Sequence, residues 1–154
     1  MAGAGKSSIG IKVAQQLNLK VVDSDFLIEA RFTQTLQEIL DDVGYLKLRA
    51  IEEEAILSID LADTVLSTGG SAVYSNKAME YLQQNSLVIY LEVPFHKILE
   101  RVPSFLDRGF AKEPSQSIED AFREREELYQ TSAHHIVSNT QDINACVSKI
   151  IALV

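Results

Sequence analysis

Near its start the chain carries Gly3-Ala4-Gly5-Lys6-Ser7-Ser8. Small residues in such a run let successive backbone N–H groups turn inward on an anion. The run reads as the second half of a phosphate loop, G-x-x-x-x-G-K-[ST]. Lys6 would reach the outer phosphates of a nucleotide, and the Ser7 hydroxyl would ligate Mg²⁺. The helix that follows would aim its positive N-terminal end at the same phosphates. The opening glycine of the motif would fall one position before Met1, and the strand that should lead into the loop is not among these residues. A glycine-rich terminus with no ligand is the plainer alternative.

Asp23 and Asp25 stand two apart, so extended backbone would turn both to one side. Such a pair can divide two tasks, one carboxylate holding Mg²⁺ through water and the other orienting or deprotonating an attacking hydroxyl. Asp25 could equally cap a helix beginning at Phe26. Arg49 lies three residues before Glu52. It is either a solvated partner of that glutamate or one arm of a carboxylate clamp, because guanidinium meets carboxylate bidentately. Arg101, Arg108, Arg123 and Arg125 pose the same choice. Arg101 and Arg108 stand out by placement, the first just before a proline-containing segment and the second inside it, where mobile cations could close over a transferring group. His134 and His135 would point to opposite faces of a strand, and no Cys or carboxylate stands at ligand spacing to make a metal site of them. Cys146 reads as a small apolar residue of the last helix.

These residues need elements to hold them. Apolar positions Ile9, Ile11, Val13, Ala14 and Leu17 predict a helix over Ser7–Leu17. Leu19–Val22 is a short apolar strand that delivers Asp23 and Asp25 at its carboxyl end. Helices are expected at Asp25–Phe32, Thr35–Asp41 and Tyr45–Ile59 with a break near Gly44, and a strand at Thr64–Ser67 running into Thr68-Gly69-Gly70-Ser71. A helix over Ser75–Gln84 and a strand over Ser86–Val93 follow. Pro94 opens a helix to about Val102. Residues 103–116 form a loop long enough to be a lid. A helix over Ile118–Ala133, a strand at His135–Ser138 and a helix over Asp142–Leu153 close the chain. Short apolar strands alternating with helices predict an α/β domain with a parallel sheet, and ligands in such sheets lie at the carboxyl ends of the strands. Asp23/Asp25, Thr68–Ser71 and Asn139/Thr140 all fall there.

A length of 154 residues fits one domain, 1–154, with a sizeable core. A net charge of −8 argues against nucleic acid or an anionic membrane as partner, yet permits a nucleotide held by local cations. No apolar run approaches the roughly 18 residues of a membrane span, and there is no charged-then-apolar leader. The lone Cys146 fits a reducing compartment, so the expectation is a cytoplasmic monomer.

The order of motifs resembles the shikimate kinases, a family of P-loop small-molecule kinases, from the first residue to the last helix. Gly3-Ala-Gly-Lys-Ser-Ser-Ile-Gly10 and Asp23-Ser-Asp25 match well. Gly44-Tyr-Leu-Lys-Leu-Arg-Ala-Ile-Glu52 is similar to the family's G-E-x-x-F-R-x-x-E, Thr68-Gly-Gly-Ser-Ala-Val73 to T-G-G-G-x-V, and Arg125-Glu-Glu-Leu-Tyr129 to R-x-P-L-Y. The resemblance implies a three-layer P-loop kinase fold with a central parallel sheet, here with its first strand missing. It also implies ATP-dependent phosphorylation of a hydroxylated carboxylate, shikimate first, with ATP and Mg²⁺ as cofactors. By the same resemblance Gly3, Ala4, Gly5, Lys6, Ser7 and Ser8 hold phosphates, Ser7 and Asp23 serve Mg²⁺, and Asp25 engages the acceptor hydroxyls as base. Arg49 and Arg125 bind its carboxylate, Gly69 and Gly70 contact its ring, Arg108 meets the transferring phosphoryl group, and Arg101 lies near the adenine. A kinase of another sugar acid or polyol, and a non-catalytic nucleotide-binding relative, stand as alternatives. Tyr45, Leu48, Glu127 and Gly109 depart from the family's residues, and Ser71 replaces its third glycine. A side chain at Ser71 is expected to intrude on the ligand, and the phosphate loop is expected to be poorly anchored without its leading strand.

Overall fold

The computed structural model describes residues 1–102 and 110–154. Helix α1 spans Lys6–Leu17 and buries Ile9, Val13 and Ala14 along one stripe. It stops at Asn18, whose φ of 56° is a left-handed conformation that asparagine tolerates. The chain continues as β1 (Lys20–Asp23), α2 (Ser24–Phe32), α3 (Leu36–Val43) and α4 (Tyr45–Leu57). Thr35 and Glu38 close a reciprocal capping box at the start of α3, and Gly44 separates α3 from α4 at φ 78°. Next come β2 (Thr64–Ser67), a 3₁₀ turn at Ala72–Tyr74, α5 (Asn76–Asn85), β3 (Ile89–Glu92) and α6 (Phe95–Arg101). Helix α7 (Ile118–Ser132), β4 (His135–Ser138) and α8 (Ile143–Ile151) complete it.

β1 pairs in parallel with β2, Lys20 opposite Thr64 and Asp23 opposite Ser67. β3 pairs in parallel with β4, Ile89 opposite His135 and Glu92 opposite Ser138. Among the described residues the two ladders share no hydrogen bonds. Between β2 and β3 lies a cavity of about 410 Å³ lined by Val65, Leu66, Ile89, Tyr90, Val13 and Leu82. Helices α1 and α8 cover one face, their Ile9, Val13, Val147 and Ile150 packing with Leu91 and Val137. The other face is closed by α4, α5 and α7, where Ile56, Ala78 and Leu82 meet Leu66 and Tyr129. Helices α2 and α3 form a smaller lobe with α4 around Ile28, Ile39 and Leu48.

Most expected elements fall where the periodicity puts them. The strand expected over Ser86–Val93 is shorter, because β4 offers only four residues to pair with. His134 precedes β4 rather than alternating within it, and its Nδ1 accepts from the Val88 N–H at 3.0 Å. Of the loop expected at 103–116, residues 103–109 lie outside the described residues, Arg108 with them. Cys146 is buried in α8 as expected. No helix among the described residues is long and apolar enough to cross a membrane.

Candidate active site

The carboxyl ends of the strands collect the residues singled out above. Gly5 precedes α1 at φ 88°, a conformation open to glycine, and a Cβ there would sit 2.9 Å from Asn139 Nδ2. The loop is tied from the far ladder instead of hanging loose. Asn139, the residue after β4, donates from Nδ2 to the Ala4 carbonyl at 2.8 Å. Arg101, the last residue of α6, donates to the Asn139 carbonyl at 2.8 Å and to the Gly3 carbonyl at 3.5 Å. Lys6 Nζ folds back to the Met1 carbonyl at 2.8 Å. Burial lowers the Lys6 pKa against the opposing pull of Asp25 and Asp23. The N–H groups at the start of α1 and the Lys6 ammonium are donors of the kind that hold an anion. Asn139 was visible in the sequence only as a polar residue at a strand end; its tie to the loop appears in three dimensions.

Asp23 and Asp25 do not share one extended face. The backbone enters α2 at Ser24, and Asp23 caps that helix by accepting the Asp25 N–H at 3.0 Å. Asp23, not Asp25, is therefore the cap. Its other oxygen accepts from the Ser7 hydroxyl at 2.6 Å. A hydroxyl and a carboxylate oxygen side by side at a phosphate loop are hard donors suited to Mg²⁺, which keeps phosphate and water as its remaining ligands. No cluster of three or more His, Cys, Asp or Glu among the described residues could hold an ion by itself, so phosphate oxygens are needed to complete such a site. Asp25 points elsewhere. Its Oδ1 is buried without a hydrogen-bond partner, and burial raises its pKa while Lys6 opposes the rise.

Gly69 lies beside this carboxylate, its N–H bonded to the buried Ser24 hydroxyl at 2.9 Å. A Cβ at Gly69 would collide with Glu52 Oε1 and stand 2.7 Å from Asp25 Oδ1, so any side chain here must displace the two carboxylates. Glu52 is 3% exposed, and burial pushes its pKa up to about 7. The Gly70 carbonyl accepts from the Tyr129 hydroxyl. The Ser71 hydroxyl, expected to intrude on the ligand, donates to Glu52 Oε2.

Arg49 is not a solvated partner of Glu52. Its Nη2 donates to the Ala111 carbonyl at 3.0 Å, and Arg125 Nη2 donates to the same oxygen at 2.7 Å. The Nε atoms of both are buried and without hydrogen-bond partners. The Tyr74 ring lies 3.6 Å from the Arg49 guanidinium, and the Phe110 ring 4.0 Å from that of Arg125. Arg125 is only 2% exposed, so its charge sits where an anion would repay the cost of burial. Arg123, by contrast, makes an exposed pair with Glu119 at 2.6 Å on α7.

An α/β fold whose strand ends gather a phosphate loop, a capped acid pair and two converging arginines defines a P-loop phosphotransferase. Comparison with known proteins narrows the class. The shikimate kinase family model matches residues 2–154, and the chain belongs to that family of kinases. It is 31% identical over 158 residues to shikimate kinase 2 of Yersinia pestis (strain Pestoides F), covering 98% of this chain and 90% of that one. It is 29% identical to shikimate kinase 2 of Enterobacter sp. (strain 638), covering 97% and 88%. Among solved structures, a shikimate kinase from Acinetobacter baumannii in complex with shikimate superposes with a TM-score of 0.87 at 29% identity, over 98% of this chain and 87% of that chain. The Aquifex aeolicus shikimate kinase shares the fold, with a TM-score of 0.85 at 24% identity over 99% and 90%.

Proposed function

We propose that this chain transfers the terminal phosphoryl group of ATP to a hydroxyl of shikimate. The observation that carries the reading is the convergence of Arg49 and Arg125 on one carbonyl oxygen, each with an N–H to spare. A carboxylate offers two oxygens where Ala111 offers one, and would use the idle donors. Family membership and the shikimate bound to the Acinetobacter relative point to the same acceptor.

In this reading Gly3, Ala4, Gly5, Ser7 and Ser8 present backbone and hydroxyl donors to the phosphates, and Lys6 leaves the Met1 carbonyl to meet the outer ones. Arg101 borders the nucleotide near its base, and Arg108 serves the transferring group. Ser7 and Asp23 hold Mg²⁺, which when bound neutralises charge on the phosphates. Arg49 and Arg125 fix the acceptor by its carboxylate, and Gly69 and Gly70 let its ring approach the backbone. Asp25 takes the proton of the attacking hydroxyl as that oxygen forms its bond to phosphorus and the bond to ADP breaks. Burial raises its pKa and so makes it a stronger base than an exposed carboxylate. Catalysis then rests on positioning and on charge stabilisation in a water-poor site.

A coupled ADP-release assay with shikimate tests this. Arg49→Ala and Arg125→Ala should each raise the KM for shikimate at least tenfold, the loss of a charge-assisted bond being worth about 1.5 to 3 kcal/mol. Turnover unchanged in both variants sinks the clamp. ADP release with another sugar acid, and none with shikimate, moves the substrate while keeping the kinase.

A further inference from the structure

Glu52 and Arg49 stand three apart on α4, the spacing at which a helix brings opposite charges together. Arg125 is a second cation close by, and both arginines lower the pKa of Glu52. The bridge nevertheless does not form. The one ion pair among the described residues is Arg123 with Glu119. Glu52 instead spends Oε2 on the Ser71 hydroxyl and rests Oε1 against Gly69, and the two arginines keep buried Nε donors that nothing fills.

We propose that Ser71 is a specificity-determining residue for the acceptor, holding the Glu52 carboxylate off Arg49 and Arg125 so that both guanidiniums stay open to the acceptor's carboxylate. This rests on the clamp reading above. Glu52 is tethered in the same site as the two arginines, at an effective concentration that a dissolved acceptor does not match. Left unrestrained it is a nearby anion, as Glu124 is, and therefore a built-in competitor. Ser71 restrains it through the hydrogen bond to Oε2. The residue has φ −97°, so no glycine is demanded there and a hydroxyl is accommodated at no backbone cost. It also opens the 3₁₀ turn that carries Tyr74, whose ring lies against Arg49. One short element thus sets both the platform beneath one guanidinium and the hold on its rival.

The test compares Ser71→Ala, Ser71→Cys and Ser71→Thr with the natural chain, using shikimate and its methyl ester as acceptors. The ester keeps the hydroxyls and removes the negative charge. Ser71→Ala should raise the KM for shikimate about tenfold, the order of one hydrogen bond to a charged group, with kcat within twofold and the KM for the ester unchanged. Ser71→Cys, close in volume but a weak donor, should behave alike and covers the case of an alanine variant that does not fold. Ser71→Thr restores the hydroxyl and should restore the KM. Adding Glu52→Gln to Ser71→Ala removes the rival charge and should also bring the KM back. An unchanged KM in the alanine and cysteine variants, or an equal rise for acid and ester, overturns the role of Ser71. A natural chain that does not distinguish acid from ester overturns the clamp itself, a separate result.

Discussion

Glu52→Gln separates a buried charge from the shape that buries it. Burial raises the Glu52 carboxyl from 4.5 to about 7 in the folded chain, whereas the unfolded chain returns it to the ordinary value. Between those values the native state binds the extra proton, so stability falls as pH rises. The contribution is whole below about 4.5 and gone above about 7. A difference of about 2.5 units corresponds to roughly 3 kcal/mol. For a domain of this size that is roughly 6 to 12 °C in Tm. Glutamine keeps the volume and an acceptor for Ser71 but cannot titrate. Urea unfolding of both chains from pH 4.5 to 8 isolates the group, since Asp25, Glu124 and every other titrating residue is common to the two. The natural chain should lose about 3 kcal/mol relative to Glu52→Gln across that span. Parallel stability curves would refute the reasoning, because a carboxyl that titrates alike in both states contributes no slope.

Two other substitutions probe separate parts of the site. Gly69→Ala places a methyl group within 2.7 Å of two carboxylate oxygens, which should cost about 1 to 3 kcal/mol in urea unfolding and reduce kcat/KM for the acceptor far more than the KM for ATP; wild-type stability and kinetics would show that the two acids move aside freely. Asn139→Ala cuts the tie to the Ala4 carbonyl, a loss of about 1 kcal/mol, and should raise the KM for ATP about fivefold with the acceptor KM unchanged; an unaltered ATP constant would mean the phosphate loop holds its shape alone.

The fold was legible because the signals were local. The Ile9, Val13, Ala14 stripe, the apolar run ending in Asp23 and the turn cluster after Ser67 each announce an element from a few neighbouring residues. Spacing also pointed to the candidate site, since strand ends and a glycine-lysine-serine run carry their chemistry in short order. What it could not assign were partners chosen across the chain. Asp23 rather than Asp25 became the cap because the helix begins at Ser24, two residues earlier than a cap at Asp25 requires. Arg49 left its helical neighbour for a carbonyl 62 positions away. Asn139 reaches a loop 135 positions back, and Ser71, expected as an obstruction, found a carboxylate 19 positions away. None of these is encoded in a spacing; each is decided by which buried polar group lacks a partner once the core has closed.

The divided sheet has a mechanical meaning. The acids and Gly69 ride on the β1–β2 ladder, while Asn139 and the α6 segment that tie the phosphate loop belong with β3–β4. No backbone hydrogen bond among the described residues runs from one ladder to the other. Helix α1 packs against β2 and against α8, and the Ser7 hydroxyl at its start bonds Asp23 at the end of β1. The acids and the phosphate loop are thus held at their spacing by side-chain packing and one side-chain hydrogen bond, with Val13, Val65 and Tyr90 lining the join.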